Sequence, residues 1–279
     1  MIVIIVIIGL MLFILASLAY CVAPGKMPPE AKTTSAAFTG LSCAHRGLYA
    51  NDRQVPENSL PAFRAAVEAG YGVELDVQLS RDGQVIVFHD DDLKRACGTD
   101  SPVSALDWKS LSELSLFGSD ERIPLLTEVL EILLDTPVIV ELKSAGANNA
   151  LLCQKTLDIM RAQGRIWCVE SFDPRIVSWF RKNAPDVLRG QLGDRPRNYD
   201  TQPKLTGFLL GNLLTNFMSR PHFVAYSTEL RPFTVRLCIA MKPMTIVWTV
   251  RPCHDIARYE QENDAVIFEH CQPVPRYRQ

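Results

Sequence analysis

The chain has 279 residues, 47% of them apolar and 22% charged, with a formal net charge of −2. That length suits one large α/β domain or two small ones. The near-neutral balance, with no basic stripe, argues against nucleic acid as a partner.

From Ile2 to Ala23 the sequence is uncharged and almost wholly apolar. As a helix rising ~1.5 Å per residue it spans the ~30 Å core of a bilayer. No Lys or Arg precedes it, and Tyr20 is too bulky for the small residue expected before a lipidated Cys21. The segment therefore reads as an uncleaved, single-pass transmembrane anchor over residues 1–23 rather than as a secretory signal. The first positive charges, Lys26 and Lys32, follow the span, which predicts that the large domain lies in the cytoplasm. Seven cysteines lie beyond Cys21, odd in number and mostly within apolar runs, as reduced core thiols would be.

Residues 24–40, with Pro24, Pro28 and Pro29, read as a linker, and the folded domain as 41–279. From Leu41 onward, short apolar runs alternate with helical patterns, the signature of βα units and a TIM-type (β/α)8 barrel. Strands are predicted at 41–45, 72–79, 85–89, 138–142, 166–170, 187–191, 222–226, 244–250 and 264–268. Helices are predicted at 59–69, 125–135 and 147–163. Nine strands are one too many for the barrel. The short Asp82-Gly83 turn between 72–79 and 85–89 predicts an antiparallel hairpin there. Residues 90–123 read as an insertion on the active-site face.

Five polar clusters sit at or near strand ends: His45-Arg46-Gly47, Glu57-Asn58, Glu74-Leu75-Asp76, His89-Asp90 and Glu141-Leu142-Lys143. Each has a bland reading by itself. A strand-end histidine is commonly structural, and Glu-x-Asp commonly a solvated face. Yet Glu141 lies in the apolar strand Val138-Ile139-Val140, where a carboxylate needs a partner. If Glu74, Asp76 and Glu141 converge, each close pair repels by roughly 4 kcal/mol at 4 Å and an effective dielectric of 20. Protonation or a metal must relieve that, and hard oxygen ligands favour Mg²⁺ or Ca²⁺. His45 and His89 beside such a metal suggest a general acid and base. Arg46 and Lys143 offer positive charge to a phosphoryl group. Trp248 reads equally as an apolar wall of the substrate pocket or as core.

With Asp82-Gly83, Ser171-Phe172 and Trp248-Thr249-Val250 added in this order, the set resembles the glycerophosphodiester phosphodiesterase family from about Leu41 onward. The resemblance implies a TIM-type barrel with an insertion after His89. It implies Glu74, Asp76 and Glu141 as metal ligands, His45 and His89 as the acid–base pair, and hydrolysis of glycerophosphodiesters to glycerol 3-phosphate and an alcohol. Two positions depart from the family pattern: Arg251 replaces an Asn, and Phe268-Glu269-His270 replaces a Thr-Asp ending. Rival readings are a lysophospholipase D or phosphoinositide-cleaving lipase acting on a lipid, a membrane-tethered binding protein without turnover, and a barrel of unrelated chemistry.

Overall fold

The computed structural model describes residues 1–50, 54–144 and 146–277, so positions 51–53, 145 and 278–279 of the expected domain lie outside the described residues. Helix α1 (Ile2–Val22) is followed by α2 (Pro29–Phe38). The barrel strands are β1 (Leu41–His45), β2 (Gly72–Leu79), β4 (Val138–Leu142), β5 (Trp167–Ser171), β6 (Arg189–Gly193), β7 (Phe223–Ser227), β8 (Met244–Val250) and β9 (Ala265–Phe268). Each pairs in parallel with its neighbours, and β1 pairs with both β2 and β9, which closes an eight-stranded TIM barrel. The ninth strand, β3 (Val85–Val87), runs antiparallel against β2 as a hairpin excursion.

Helices α3 (Leu60–Glu68), α6 (Leu126–Leu133), α7 (Asn149–Gln163) and α8 (Pro174–Asn183) flank the barrel. So do α9 (Lys204–Gly211), α10 (Asn216–Ser219), α11 (Phe233–Ala240) and α12 (Ile256–Glu262). Strand alternation explains the layering. On β2, Val73, Leu75 and Val77 pack outward in one apolar cluster with Phe63, Leu126 and Leu130. Glu74 and Asp76 take the opposite, inner face.

Between β3 and α6 the insertion carries two short helices, α4 (Lys94–Cys97) and α5 (Trp108–Leu111). Its own small core joins Leu93, Val103, Leu111 and Ile123 to Ile86 and Phe88.

One expectation is corrected. Residues 24–40 are not a plain linker, because Pro29–Phe38 is helical, with proline at its first turn where a missing N–H costs nothing. Ala31 and Phe38 are fully buried among Leu41, Cys43, Ile139, Phe223 and Ile246 of the barrel interior. The segment therefore plugs the barrel at the end opposite the strand C-termini. Helix α1 also meets the barrel at its last turn: Val22 is buried with Leu213, Val224, Val235 and Cys238. All eight cysteines are free thiols.

Candidate active site

The polar clusters gather at the C-terminal mouth of the barrel because strand register puts them in layers. His45 is level with Glu74, Asp76 with Glu141, and Glu141 with Glu170. Glu74, Asp76 and Glu141 are buried, and each offers an oxygen within 4.8 Å of the others. Glu170, in the next strand, is 1% exposed, and its Oε2 has no hydrogen-bond partner among the described residues.

The turn after β1 frames this cluster. Arg46 has a left-handed φ of 57° and donates its backbone N–H to Glu74 Oε2 at 3.0 Å. Gly47 follows with φ 80°, and a Cβ there would lie 2.8 Å from the Ala62 carbonyl carbon. Only glycine fits the close approach of the turn to α3. Asn58 donates from Nδ2 to Asp76 Oδ2 at 2.8 Å. Ser59 caps α3, accepting from the Ala62 N–H.

Two cations sit among the acids. Lys143 Nζ is 2.7 Å from Glu141 and 2.9 Å from Asp76. The Arg46 guanidinium meets Glu57 at 2.7 Å and Asp76 at 3.4 Å. Burial pushes the Glu74 carboxyl well above its usual range, and the charges of Asp76, Glu141 and Glu170 add to the effect. Asp76 goes the other way: burial would raise it, but Lys143, His89 and Arg46 hold it well below. Glu141 is raised because burial outweighs Lys143. Glu170 is raised by burial together with Glu141 and Asp76. Four carboxylates so placed against two cations fit a divalent metal ion in both donor type and charge.

Each histidine is held by a carboxylate through Nδ1. His45 Nδ1 lies 2.8 Å from Glu269 Oε2, leaving Nε2 on the side of Glu74, 4.0 Å away. Glu269 also accepts from the Tyr49 hydroxyl at 2.9 Å and from Arg251 Nε. Burial lowers the His45 imidazole below its ordinary value, opposed by the hydrogen bond to Glu269. Glu269 is held far below the usual carboxylate range: burial would raise it, but His45 and Arg251 prevail. His89 Nδ1 is 2.7 Å from Asp90, which Arg95 of the insertion grips at 2.6 Å. Arg95 also reaches Glu57 at 2.6 Å, tying the insertion to the turn after β1.

The family model for glycerophosphoryl diester phosphodiesterases matches residues 45–272. The chain belongs to that family. It is similar to a glycerophosphodiester phosphodiesterase of Caldanaerobacter subterraneus, 37% identical over 166 residues, 54% of this chain and 66% of the relative. It is also similar to the human lysophospholipase D GDPD1, 35% identical over 141 residues, 46% of this chain and 43% of the relative. The chain thus spans less than two thirds of these relatives' length. A solved glycerophosphodiester phosphodiesterase of Thermotoga maritima superposes with TM-score 0.62 at 28% identity, over 82% of this chain and 93% of its own. A phosphodiesterase of Oleispira antarctica, solved with its product sn-glycerol-3-phosphate, shares the fold at TM-score 0.67 and 23% identity, over 84% and 94%.

Within this family member, the structure brings Glu74, Asp76, Glu141, His45, Arg46 and Lys143 together, with His89 near enough for its charge to act on Asp76 and Glu141. Arg46 and Lys143, expected to face a phosphoryl group, are paired with carboxylates here. Trp248 is half-buried; its ring stands edge-on to Phe172 at 5.4 Å, and its Nε1 donates to the Ala225 carbonyl. It thus joins core packing to the rim of the mouth. Sequence reasoning does not reach the placement of Glu170, Arg95 or Glu269. For Glu170 a signal existed, since it follows Trp167-Cys168-Val169 as Glu141 follows Val138-Ile139-Val140. The two departures from the family pattern, Arg251 and Glu269, turn out to pair with each other.

Proposed function

We propose that this chain hydrolyses glycerophosphodiesters to glycerol 3-phosphate and an alcohol with the help of one divalent metal ion. The observation that carries the reading is the convergence of three buried carboxylates at a barrel mouth, in a chain of this family, with His45 Nε2 on the side of Glu74. Glu74, Asp76 and Glu141 hold the ion, and their all-oxygen donor set suits Mg²⁺ or Ca²⁺. When bound, the ion offsets charge on the phosphate and acidifies a hydroxyl or water beside it. His45, neutral and fixed by Glu269, takes the nucleophile's proton on Nε2. His89, fixed by Asp90, gives a proton to the departing alkoxide. Arg46 and Lys143 turn positive charge to the phosphoryl oxygens, and Trp248 gives the glycerol carbons an apolar wall.

A lysophospholipid substrate is the second reading. It is favoured by α1, an apolar helix of 21 residues long enough to cross a membrane, which would hold the mouth close to lipid. Here α1 acts as an anchor, with the barrel on the cytoplasmic side because Lys26 and Lys32 follow the span. The test is release of glycerol 3-phosphate from glycerophosphocholine, and of choline from lysophosphatidylcholine, with and without chelator. No turnover of either diester at saturating Mg²⁺ or Ca²⁺ would leave a membrane-tethered binding protein instead.

A further inference from the structure

The large apolar side chains exposed outside α1 are not spread evenly. Of the eleven that follow α1 among the described residues, seven fall between 205 and 241. They include Leu205 and Phe208 on α9, Phe217 and Met218 on α10, and Leu230 and Phe233 before and at the start of α11. The charge there is just as uneven. Residues 204–242 contain Lys204, Arg220, Arg231, Arg236 and Lys242 against a single acid, Glu229, in a chain whose net charge is −2. Glu229 is itself neutralised by Arg195 and Arg197 at 3.2 and 2.7 Å. Arg236 is exposed with no carboxylate within ion-pair distance among the described residues, whereas Arg231 is half-buried and donates to Asn263 Oδ1 at 2.7 Å.

The same flank receives α1. Tyr20 stacks on Phe217 with ring centroids 6.5 Å apart. The Arg220 guanidinium lies 4.5 Å over the Tyr20 ring and donates to the carbonyls of Tyr20 and Ala23. On α11, Phe233, Arg236 and Ala240 recur at the spacing of one helix face, and all three are exposed.

We propose that this flank, α9 to α11, is a docking face for an anionic lipid bilayer, lying beside the point where α1 leaves the barrel. The inference rests on reading α1 as a membrane anchor and goes beyond it, because it fixes which side of the barrel meets the lipid. Apolar residues interleaved with an excess of lysine and arginine over acid suit the headgroup boundary, where rings enter the acyl layer and cations meet phosphate. A second protein would not require the arginine excess, and continuity with α1 places lipid at the edge of the patch. A cavity of about 660 Å³ extends from Leu209, Leu210 and Met218 on this flank to Ser144 and Phe172 at the mouth. Ser144 follows Lys143 directly, and Phe172 stands against Trp248. A lipid tail entering from the docked side would follow Leu209, Leu210, Met218 and Phe172 toward the mouth, past the polar groups of Asp173, Arg175 and Asp194.

The test uses the full chain reconstituted into vesicles of phosphatidylcholine alone, or with about one-third phosphatidylglycerol, and read by hydrogen exchange. In the anionic vesicles, exchange over 204–219 and 228–240 slows several-fold, while α6 and α7 on another side of the barrel are unchanged. The Phe208→Glu/Phe233→Glu variant loses that protection and still hydrolyses glycerophosphocholine at the parent rate. Absence of protection in an anchored chain overturns the proposal. Equal protection in both vesicle types overturns the anionic assignment, and protection that rises with protein concentration in detergent gives the face to a second copy. A chain that does not float with anionic vesicles removes both the anchor and the face. The exchange pattern does not depend on turnover, so failure of the catalytic reading shows separately.

Discussion

The perturbation that bears most directly on the mechanism is Glu269→Gln. Glu269 is 7% exposed and holds His45 through Nδ1 at 2.8 Å, so it fixes both ring orientation and tautomer. As His45 takes a proton, the imidazolium gains a charge-assisted hydrogen bond that the neutral ring lacks. Such bonds contribute about 1.5–3 kcal/mol. If that difference is felt only in the transition state, at ~1.36 kcal/mol per decade, kcat falls about 10- to 100-fold. KM for glycerophosphocholine stays within about twofold, because Glu269 touches neither the carboxylate cluster nor the expected phosphate position. The assay is steady-state kinetics with glycerophosphocholine, run beside a melting curve on the same preparation. Glu269→Asp, which keeps the charge on a shorter arm, should recover part of the loss. A kcat for Glu269→Gln within twofold of the parent, at unchanged melting temperature, would refute the assignment of His45 as an oriented base.

Four further outcomes are expected. His45→Ala and His89→Ala each lower kcat by about 10²–10⁴ with metal affinity nearly unchanged, and the double substitution costs less than the product of the singles; calorimetric metal titration and kinetics on the same variants check both. EDTA abolishes release of glycerol 3-phosphate and Mg²⁺ or Ca²⁺ restores it, whereas Glu141→Gln needs far more metal for half-maximal rate. Deleting residues 1–40 opens the barrel base and yields insoluble protein, since Phe38 is fully buried there and truncating such a ring costs about 3–5 kcal/mol; deleting residues 1–17 leaves Val22 and α2 in place, and a folded, active domain from both truncations would show the plug to be dispensable. His222, buried beside Arg189, is pushed down to about 3 by burial first and by that cation second. Its folded value lies below the unfolded one near ~6.5, so its contribution to stability is whole above that pH and is lost as pH falls toward 3. Between pH 7 and 5 the parent should lose about 2 kcal/mol more than His222→Leu in urea unfolding, and equal losses would count against it.

The barrel was legible because its strands are short apolar runs, and eight of them pair in parallel as the βα alternation predicts. The Asp82-Gly83 turn marks the antiparallel ninth strand for a plain steric reason, being too short for a crossover. The plug was not legible. Pro24, Pro28 and Pro29 read as breakers, yet proline at the first turn is a helix start, and the ring that closes the barrel, Phe38, stands alone in a Thr/Ser/Ala stretch. Short helices such as α8 and α12 carry a warning in their caps, Asp173 and Asp255, whose side chains accept from backbone N–H groups one turn in. At the site, carboxylates two apart on one strand were readable as sharing a face. The carboxylate partners of the histidines split by distance. Asp90 adjoins His89 in sequence, while Glu269 lies 224 positions from His45 and only closure of the barrel brings them together.

That closure also sets Arg251 against Glu269. Glu269 is buried, and among the described residues it accepts from His45 Nδ1, the Tyr49 hydroxyl and Arg251 Nε, of which Arg251 alone carries a fixed charge. An ionised carboxylate at such a site needs a fixed cation, or it protonates and ceases to orient the imidazole. Arg251, at the end of the adjoining strand β8, supplies that cation through Nε. An Asn at the same position could donate a hydrogen bond but no charge. Seven carboxylates face the mouth (Glu57, Glu74, Asp76, Asp90, Glu141, Glu170 and Glu269) against Arg46, Arg95, Lys143 and Arg251. With Arg251 turned to Glu269, and Arg95 to Glu57 and Asp90, the inner layer of Glu74, Asp76, Glu141 and Glu170 is left with Lys143 and Arg46 alone, which hold Asp76 ionised while burial and mutual repulsion push the other three upward. Under the proposed mechanism a divalent cation bound there would favour the ionised carboxyls and offset the charge of an anionic phosphodiester. The outer pairs, which hold the histidines, would therefore also confine the attraction for that cation to the strands between His45 and Glu170.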